Sequence, residues 1–278
     1  MTVAVTGASG QVGQALQQIA VNYPSISWVF WSKDEVDITN KQQLLNVINK
    51  VKPHVVINLA AYTAVDQAEV HYEDAFLLNV EGPRQLALAC TAINAVLIHI
   101  STDYVFDGSS KMPYSETHQP APLNVYGHTK WKGEEAVLQN CSKFFIVRSS
   151  WIYSSFGKNF YQTMLRLARE GRDITVVNDQ VGKPTHAIDL ARALVLIALS
   201  ENTHYGIYHF ANSGSATWYQ FAIKIFEKHG LAPRVFPIAS QKFSTPAKRP
   251  AYSILDTSKF ENTFGLRIPN WEEALKDN

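Results

Sequence analysis

Short apolar runs of strand length alternate with stretches whose apolar positions recur at helical spacing, and the alternation is most regular in the first half of the chain. It predicts strands over Val3–Thr6, Ser27–Trp31, His54–Leu59 and Ala95–Ile100. Between them it predicts helices over Gln11–Val21, Lys41–Lys50 and Asp74–Ile93, the last kinked or restarted at Gly82-Pro83, because proline has no amide for an interior helical turn. Helical spacing resumes from Asn124 to Gln139, followed by a strand over Phe144–Arg148, a helix over Phe160–Ala168 and a strand over Ile174–Val177. Further on the pattern weakens. Helices over Ile188–Leu199 and Trp218–His229 flank a short strand, Ile207–Phe210, and the segment 232–278 is loop-rich, holding five of the twelve prolines.

Strand and helix in alternation read as βαβ units, hence an α/β fold with a doubly wound parallel sheet. Residues 1–150 are expected to form a dinucleotide-binding domain. Residues 151–278 are expected to form mostly a smaller C-terminal substrate-binding lobe, with some segments returning to the sheet. A hydrophobic fraction of 46% spread along the whole length excludes a disordered chain. With 25 basic and 24 acidic side chains, a formal charge of +1 and no long run of one sign, neither nucleic acid nor a membrane surface is an expected partner; a small molecule is. Cys90 and Cys141 are expected to be reduced, buried thiols. The first residues lack the layout of a secretory leader, and no apolar run approaches the ~20 residues of a membrane span, so a cytoplasmic location is expected.

The first chemical signal is the run Thr6-Gly7-Ala8-Ser9-Gly10-Gln11-Val12-Gly13 between the first predicted strand and helix. A dinucleotide fold must turn sharply there and bring backbone amides against a pyrophosphate, which glycine permits and a Cβ obstructs. The spacing is Gly-x-x-Gly-x-x-Gly rather than the more familiar Gly-x-Gly-x-x-Gly, which points to a different branch of the Rossmann-like fold. After the second strand, Trp31-Ser32-Lys33-Asp34-Glu35 mixes an acid suited to the ribose of NAD with a lysine suited to the phosphate of NADP. Lys33 is either that phosphate ligand or a solvated loop cation; NADPH is the expected cofactor, with NADH also accepted.

The second signal joins two segments. The strand Ala95–Ile100 runs into Ser101-Thr102-Asp103-Tyr104, at the carboxyl end where doubly wound sheets bind ligands. Downstream, Tyr126 and Lys130 stand four apart at the start of a predicted helix, on one face. An unperturbed tyrosine has a pKa of about 10, and a nearby ammonium brings its proton transfer closer to neutrality. Tyr126 is thus a candidate acid, and Thr102 a donor to the same carbonyl oxygen. Glycine turn, strand-end hydroxyl and tyrosine–lysine pair together are spaced as in short-chain dehydrogenases/reductases.

Longer strings narrow the branch. Gly10-Gln11-Val12-Gly13, Asn58-Leu59-Ala60-Ala61-Tyr62-Thr63-Ala64-Val65-Asp66, Ser101-Thr102-Asp103-Tyr104-Val105-Phe106, Pro122-Leu123-Asn124-Val125-Tyr126-Gly127 and Asp179-Gln180-Val181-Gly182-Lys183-Pro184-Thr185 resemble the dTDP-4-dehydrorhamnose reductase family, as do Arg249-Pro250, Asp256 and Phe264-Gly265. The resemblance spans nearly the whole chain. It implies hydride transfer from NAD(P)H to the C4 ketone of a nucleotide sugar, dTDP-4-dehydro-L-rhamnose, giving dTDP-L-rhamnose for cell-envelope polysaccharide. It also implies Tyr126 as proton donor, Lys130 as the group that lowers its pKa and holds the nicotinamide ribose, and Thr102 as an aid to the carbonyl. Gly10, Gln11 and Val12, beside the turn residues Gly7 and Gly13, then match the pyrophosphate contacts, Asp37 and Ile38 the adenine contacts, and Ala61, Tyr62 and Thr63 the middle of the cofactor. Thr102, Asp103 and Trp151 match substrate contacts.

The residues themselves leave alternatives. Trp151 and Tyr104 are either aromatic walls for a deoxysugar or core packing; Asp103 is either an acceptor for sugar hydroxyls or a structural cap. Arg249 is a candidate for the substrate diphosphate. Some relatives bind magnesium through an acid early in the first helix, where this chain has Gln14-Ala15, so no metal and a monomer or weak homodimer are expected. Only a short helix is expected from Trp271 to Asn278, and His128 is expected at the surface. Two rivals stand beside this expectation: another nucleotide-sugar reductase or epimerase of the same branch, and a non-catalytic NADP-binding subunit.

Overall fold

The structure, a computed structural model, describes residues 1–276. In chain order its elements are β1 (Thr2–Thr6), α1 (Gln11–Ala20), β2 (Ser27–Trp31), α2 (Lys41–Val51), β3 (Val55–Asn58), α3 (Val65–Ala68), α4 (Tyr72–Phe76), α5 (Gly82–Ala92), β4 (Val96–Thr102), α6 (Val125–Asn140) and β5 (Phe144–Ser149). The second half adds β6 (Ile152–Tyr153), α7 (Phe160–Arg169), β7 (Ile174–Val177), β8 (Val181–Gly182), β9 (Thr185–His186), α8 (Ala187–Leu199), β10 (Gly206–His209), β11 (Ala216–Thr217), α9 (Trp218–Lys228), β12 (Val235–Ile238), α10 (Ser258–Phe264) and α11 (Trp271–Lys276). Six strands form one parallel sheet in the order β10-β5-β4-β3-β1-β2. The winding reverses between β1 and β3, which opens a crevice at their carboxyl ends.

Alternation along the strands sends neighbouring side chains to opposite faces. Val3, Val5, Val55, Ile57, Phe145 and Val147 pack with α1 and α8. Ala4, Val56, Leu97 and Ile146 pack with α2, α5 and α6. Both faces are covered, as a parallel sheet requires. Part of that cover comes from the second half of the chain, since α8 lies on the sheet and β10 is its edge strand beside β5. A separate cluster around Tyr153, Tyr161, Phe221 and Trp271 joins α7, α9 and α11. The strand predicted over Ile174–Val177 belongs there, pairing with β12 and not with the main sheet.

The region predicted to kink is a widened turn. Leu77–Glu81 is π-helical and runs without a break from α4 into α5. Pro83 lacks the N–H that would bond the Asn79 carbonyl, and an extra residue in the turn accommodates the loss. That carbonyl faces α6 where Gly133 stands, and a Cβ on Gly133 would overlap it. Cys90 and Cys141 are free and buried, and burial holds the Cys90 thiol far above its usual range. Among the described residues no helix is long and apolar enough to cross a membrane. Asp277 and Asn278, the last residues of the expected terminal helix, lie outside the described residues.

Candidate active site

The β1–α1 turn opens on the crevice. Gly7 has φ +67°, and a Cβ there would lie 2.6 Å from the Ala60 nitrogen and 2.7 Å from the Leu59 carbonyl carbon. Only glycine lets the turn pass so close to the end of β3. No side chain caps α1, so the first-turn amides are left for a ligand at the positive end of the helix. Gly7, Gly10, Gln11, Val12 and Gly13 line a cleft of about 850 Å³. Lys33, Asp37 and Ile38 line the same cleft beyond β2, as do Ala61 and Thr63 beyond β3. Asp37 has a local duty too, since its carboxylate accepts from the Thr39 backbone N–H at 2.9 Å and hydroxyl at 2.7 Å.

β4 is longer than predicted and carries Thr102 to the floor of the cleft, where Tyr126 and Lys130 on α6 also stand. Asn124 starts α6 by accepting from the Gly127 N–H at 2.8 Å, which fixes the first turn that bears Tyr126. Burial pushes the Tyr126 phenol up to about 12, with the Thr102 hydroxyl pulling it down and the Asp103 charge raising it. Burial lowers Lys130 to about 8 against the pull of Glu134. The Lys130 ammonium donates to the Ile100 carbonyl at 2.7 Å. Desolvation, and not the lysine, therefore dominates the phenol in this state, which departs from the expectation that Lys130 lowers it. Asp103 is buried and pushed up to about 7 by desolvation. The Thr102 hydroxyl donates to its carboxylate at 3.2 Å while accepting from the Tyr104 N–H at 3.2 Å.

Opposite the glycine turn, Trp151 takes φ +45° and stacks on Trp218, with centroids 3.5 Å apart and planes 7° from parallel. Both indoles line the cleft. The two sides are joined by Gln11, whose Oε1 accepts from Asn159 Nδ2 at 2.7 Å and Ser154 Oγ at 3.0 Å. Three buried hydroxyls on the cleft wall, those of Ser101, Ser149 and Tyr153, have no hydrogen-bond partner among the described residues. Such groups are costly unless a ligand or water completes them.

Two expected site residues do not reach the cleft. Arg249 is tied to Asp66 through Nη2 to Oδ2 at 2.8 Å and Nη1 to Oδ1 at 3.1 Å, which fastens the C-terminal segment to α3, and its guanidinium also bonds the Tyr104 side chain, which does line the cleft. Tyr62 lies outside the cleft lining; Asn79 Oδ1 accepts from its backbone N–H at 2.8 Å, and Asn79 Nδ2 donates to its carbonyl at 3.2 Å. His128 is partly buried edge-on against Trp131 and takes no part in the lining.

The family model for the RmlD substrate binding domain matches residues 1–278. The chain is 41% identical to the dTDP-4-dehydrorhamnose reductase of Aggregatibacter actinomycetemcomitans, over 98% of this chain and 96% of that one. This chain belongs to the dTDP-4-dehydrorhamnose reductase family. A crystal structure of the dTDP-4-dehydrorhamnose reductase of Bacillus anthracis in complex with NADP, 42% identical, superposes with a TM-score of 0.94 over 99% of this chain and 97% of that one. The UDP-glucose 4-epimerase of Thermus thermophilus, in complex with NAD, shares the fold with a TM-score of 0.85 over 99% and 97% of the two chains at 19% identity.

In this member of the dTDP-4-dehydrorhamnose reductase family, the sequence alone did not point to Lys158, Asn159, Phe160, Trp218 or Phe221 as cleft-lining residues. Phe160, Trp218 and Phe221 sit at helical spacing among core residues, and spacing does not separate an aromatic that lines a cleft from one that fills a core. Asn79 was equally hidden; its Nδ2 also donates to Thr129 Oγ1 at 3.0 Å, holding the helix of Tyr126 and Lys130 against the end of β3. A buried asparagine inside an apolar helix was the available signal.

Proposed function

We propose that this protein reduces the C4 ketone of dTDP-4-dehydro-L-rhamnose to dTDP-L-rhamnose with NADPH, Tyr126 supplying the proton. The observation that carries the reading is the meeting of Thr102, Tyr126 and Lys130 in the cleft that the glycine turn opens, in a chain of this reductase family. The residues fit a dinucleotide: the uncapped α1 start and the passage at Gly7 leave a cradle that a Cβ would fill, and Lys33 lines the cleft just past β2, a cation suited to a ribose phosphate. NADPH supplies the hydride when bound.

The protein's part is to receive charge and deliver a proton. As the new C–H bond forms at C4, the carbonyl double bond becomes single and its oxygen gains charge, which the Thr102 hydroxyl stabilises by donating to it. The Tyr126 O–H bond then breaks and its proton completes the alcohol. A phenol pushed up to about 12 keeps that proton at neutral pH, as a donor must. Lys130 stabilises the phenolate left behind and helps return its proton. Trp151 and Asp103 present an aromatic wall and an acceptor to the sugar, and Tyr104 stands edge-on to Tyr126 at 5.8 Å. Assigning residues 1–150 to the cofactor and 151–278 mostly to the sugar belongs to the same proposal.

Absorbance of NADPH followed in the presence of dTDP-4-dehydrorhamnose tests it: oxidation is expected, with NADH slower. Oxidation only with a different nucleotide keto sugar would overturn the substrate, and none with any sugar, despite cofactor binding, would overturn the enzyme reading. Lys130 titrates near 8, so the charge that stabilises the phenolate is present below that pH and lost above it. kcat/KM is accordingly expected to fall as pH rises through about 8; a flat profile to pH 10 would remove Lys130 from this role.

A further inference from the structure

A hydrogen-bonded chain crosses three neighbouring strands beneath the cleft. Thr6, Asn58 and His99 stand side by side in register on β1, β3 and β4, all buried. Asn58 Oδ1 accepts from the Thr6 hydroxyl at 2.7 Å and from the Ala60 backbone N–H at 3.2 Å. A backbone N–H can only donate, so Oδ1 is fixed as the acceptor and the amide has one orientation. Its Nδ2 therefore donates to His99 Nδ1 at 2.9 Å. Burial, and after it the charge of Lys130, holds the imidazole well below its usual range, so the ring is neutral. With a lone pair at Nδ1, the one ring proton sits on Nε2, which faces Lys130 Nζ at 3.5 Å.

We propose that His99 is a positioning residue for Lys130: its Nε2–H, the last donor of a chain that begins at the glycine turn, favours an amine lone pair turned toward the ring over an ammonium. This rests on the role given to Lys130 above. An ammonium has three donors and no acceptor, so it cannot satisfy Nε2–H and two N–H groups would face each other. Protonation loosens that contact and leaves the ammonium to the phenol. Lys130 thereby alternates between an amine held by His99 and a cation held by the site. Other ionisable groups surround it. Glu134, one turn on along α6, favours the cation, and Arg148 of β5 binds Glu134 through Nε to Oε1 at 2.9 Å and Nη2 to Oε2 at 2.6 Å. Tyr126 lies one turn back on α6 and Asp103 just past β4. Against Glu134 stands burial, which lowers the lysine to about 8, and the imidazole donor acts in the same direction as burial.

The test is imidazole ¹⁵N NMR of the full chain, combined with the titration of the Lys130 ¹³Cε resonance. The expected spectrum has His99 protonated at Nε2 and not at Nδ1; a proton on Nδ1 overturns the inference whatever the turnover. Asn58→Asp replaces the donor with a carboxylate oxygen, draws the ring proton to Nδ1 and offers the Nε2 lone pair to the lysine. The Lys130 titration and the alkaline limb of kcat/KM should then rise together by about one pH unit or more. His99→Phe removes the donor without adding the charge that Asn58→Asp brings and should shift both the same way; if it does not fold, the ring tautomer of the unsubstituted chain still decides. A purely structural role predicts lower stability with both titrations unmoved, and that result sinks the proposal. Absence of turnover with every sugar would defeat the functional reading alone, since the tautomer and the lysine titration are read without substrate.

Discussion

On the glycine-turn side of the cleft, shape is set by backbone. The turn passes the end of β3 at a distance that admits no Cβ at Gly7, and α1 presents amides that no side chain caps. On the opposite side, shape is set by side chains from remote parts of the chain: Trp151 on Trp218, and Asn159 and Ser154 on Gln11. A backbone-built wall suits a partner that never changes, such as a dinucleotide. A wall of side chains is altered by single substitutions without disturbing the sheet, which is where discrimination among sugars is expected to reside.

Breaking the chemistry while leaving both walls intact gives the largest expected effect. Tyr126→Phe keeps the ring and removes the proton donor, so kcat should fall by roughly 10²–10⁴ while the NADPH Kd hardly moves; undiminished turnover would refute the assignment. Breaking the backbone wall comes next. Gly7→Ala forces an L side chain into φ +67° and into Ala60, and should lower stability by about 1–3 kcal/mol from backbone strain alone, with NADPH binding weakened in parallel. Thermal unfolding and fluorescence titration measure both, and normal cofactor binding would show that the passage is not required. Breaking one link between the walls should matter least. Gln11→Ala and Asn159→Ala are each expected to raise the sugar KM by an amount worth about 1 kcal/mol, and the double variant should be no worse than either single one. Fully additive losses would mean that the two residues act independently.

The same division explains what was legible in the sequence. Ser27–Trp31 is a strand with the predicted limits, and α1, α2 and α6 begin within a residue of their predicted starts, because spacing, caps and turns are local signals. β4 extends through Ser101 and Thr102 because the end of a parallel strand beside a cleft tolerates polar residues that an apolar pattern excludes. That the glycine turn, Thr102, Tyr126 and Lys130 come to one cleft was readable, since each is a short string at the end of a periodic element. The surroundings of Arg249 were not readable: its charge suggested a diphosphate, and only the folded chain reveals Asp66 and Tyr104 beside it. Trp218 and Asn79 depend on contacts far away in sequence, which no local pattern encodes.

The widened turn at Leu77–Glu81 makes chain length there as consequential as residue type. Removing one residue would restore an ordinary helical turn and rotate everything before it by about 100° relative to α5. An amide at position 79 would then sweep away from both Tyr62 and Thr129, and the two segments it ties together would part without any substitution at the cleft itself. A stretch that looks like unremarkable helix in an alignment is thus a spacer of fixed length, where deletions should be tolerated far less well than changes of side chain.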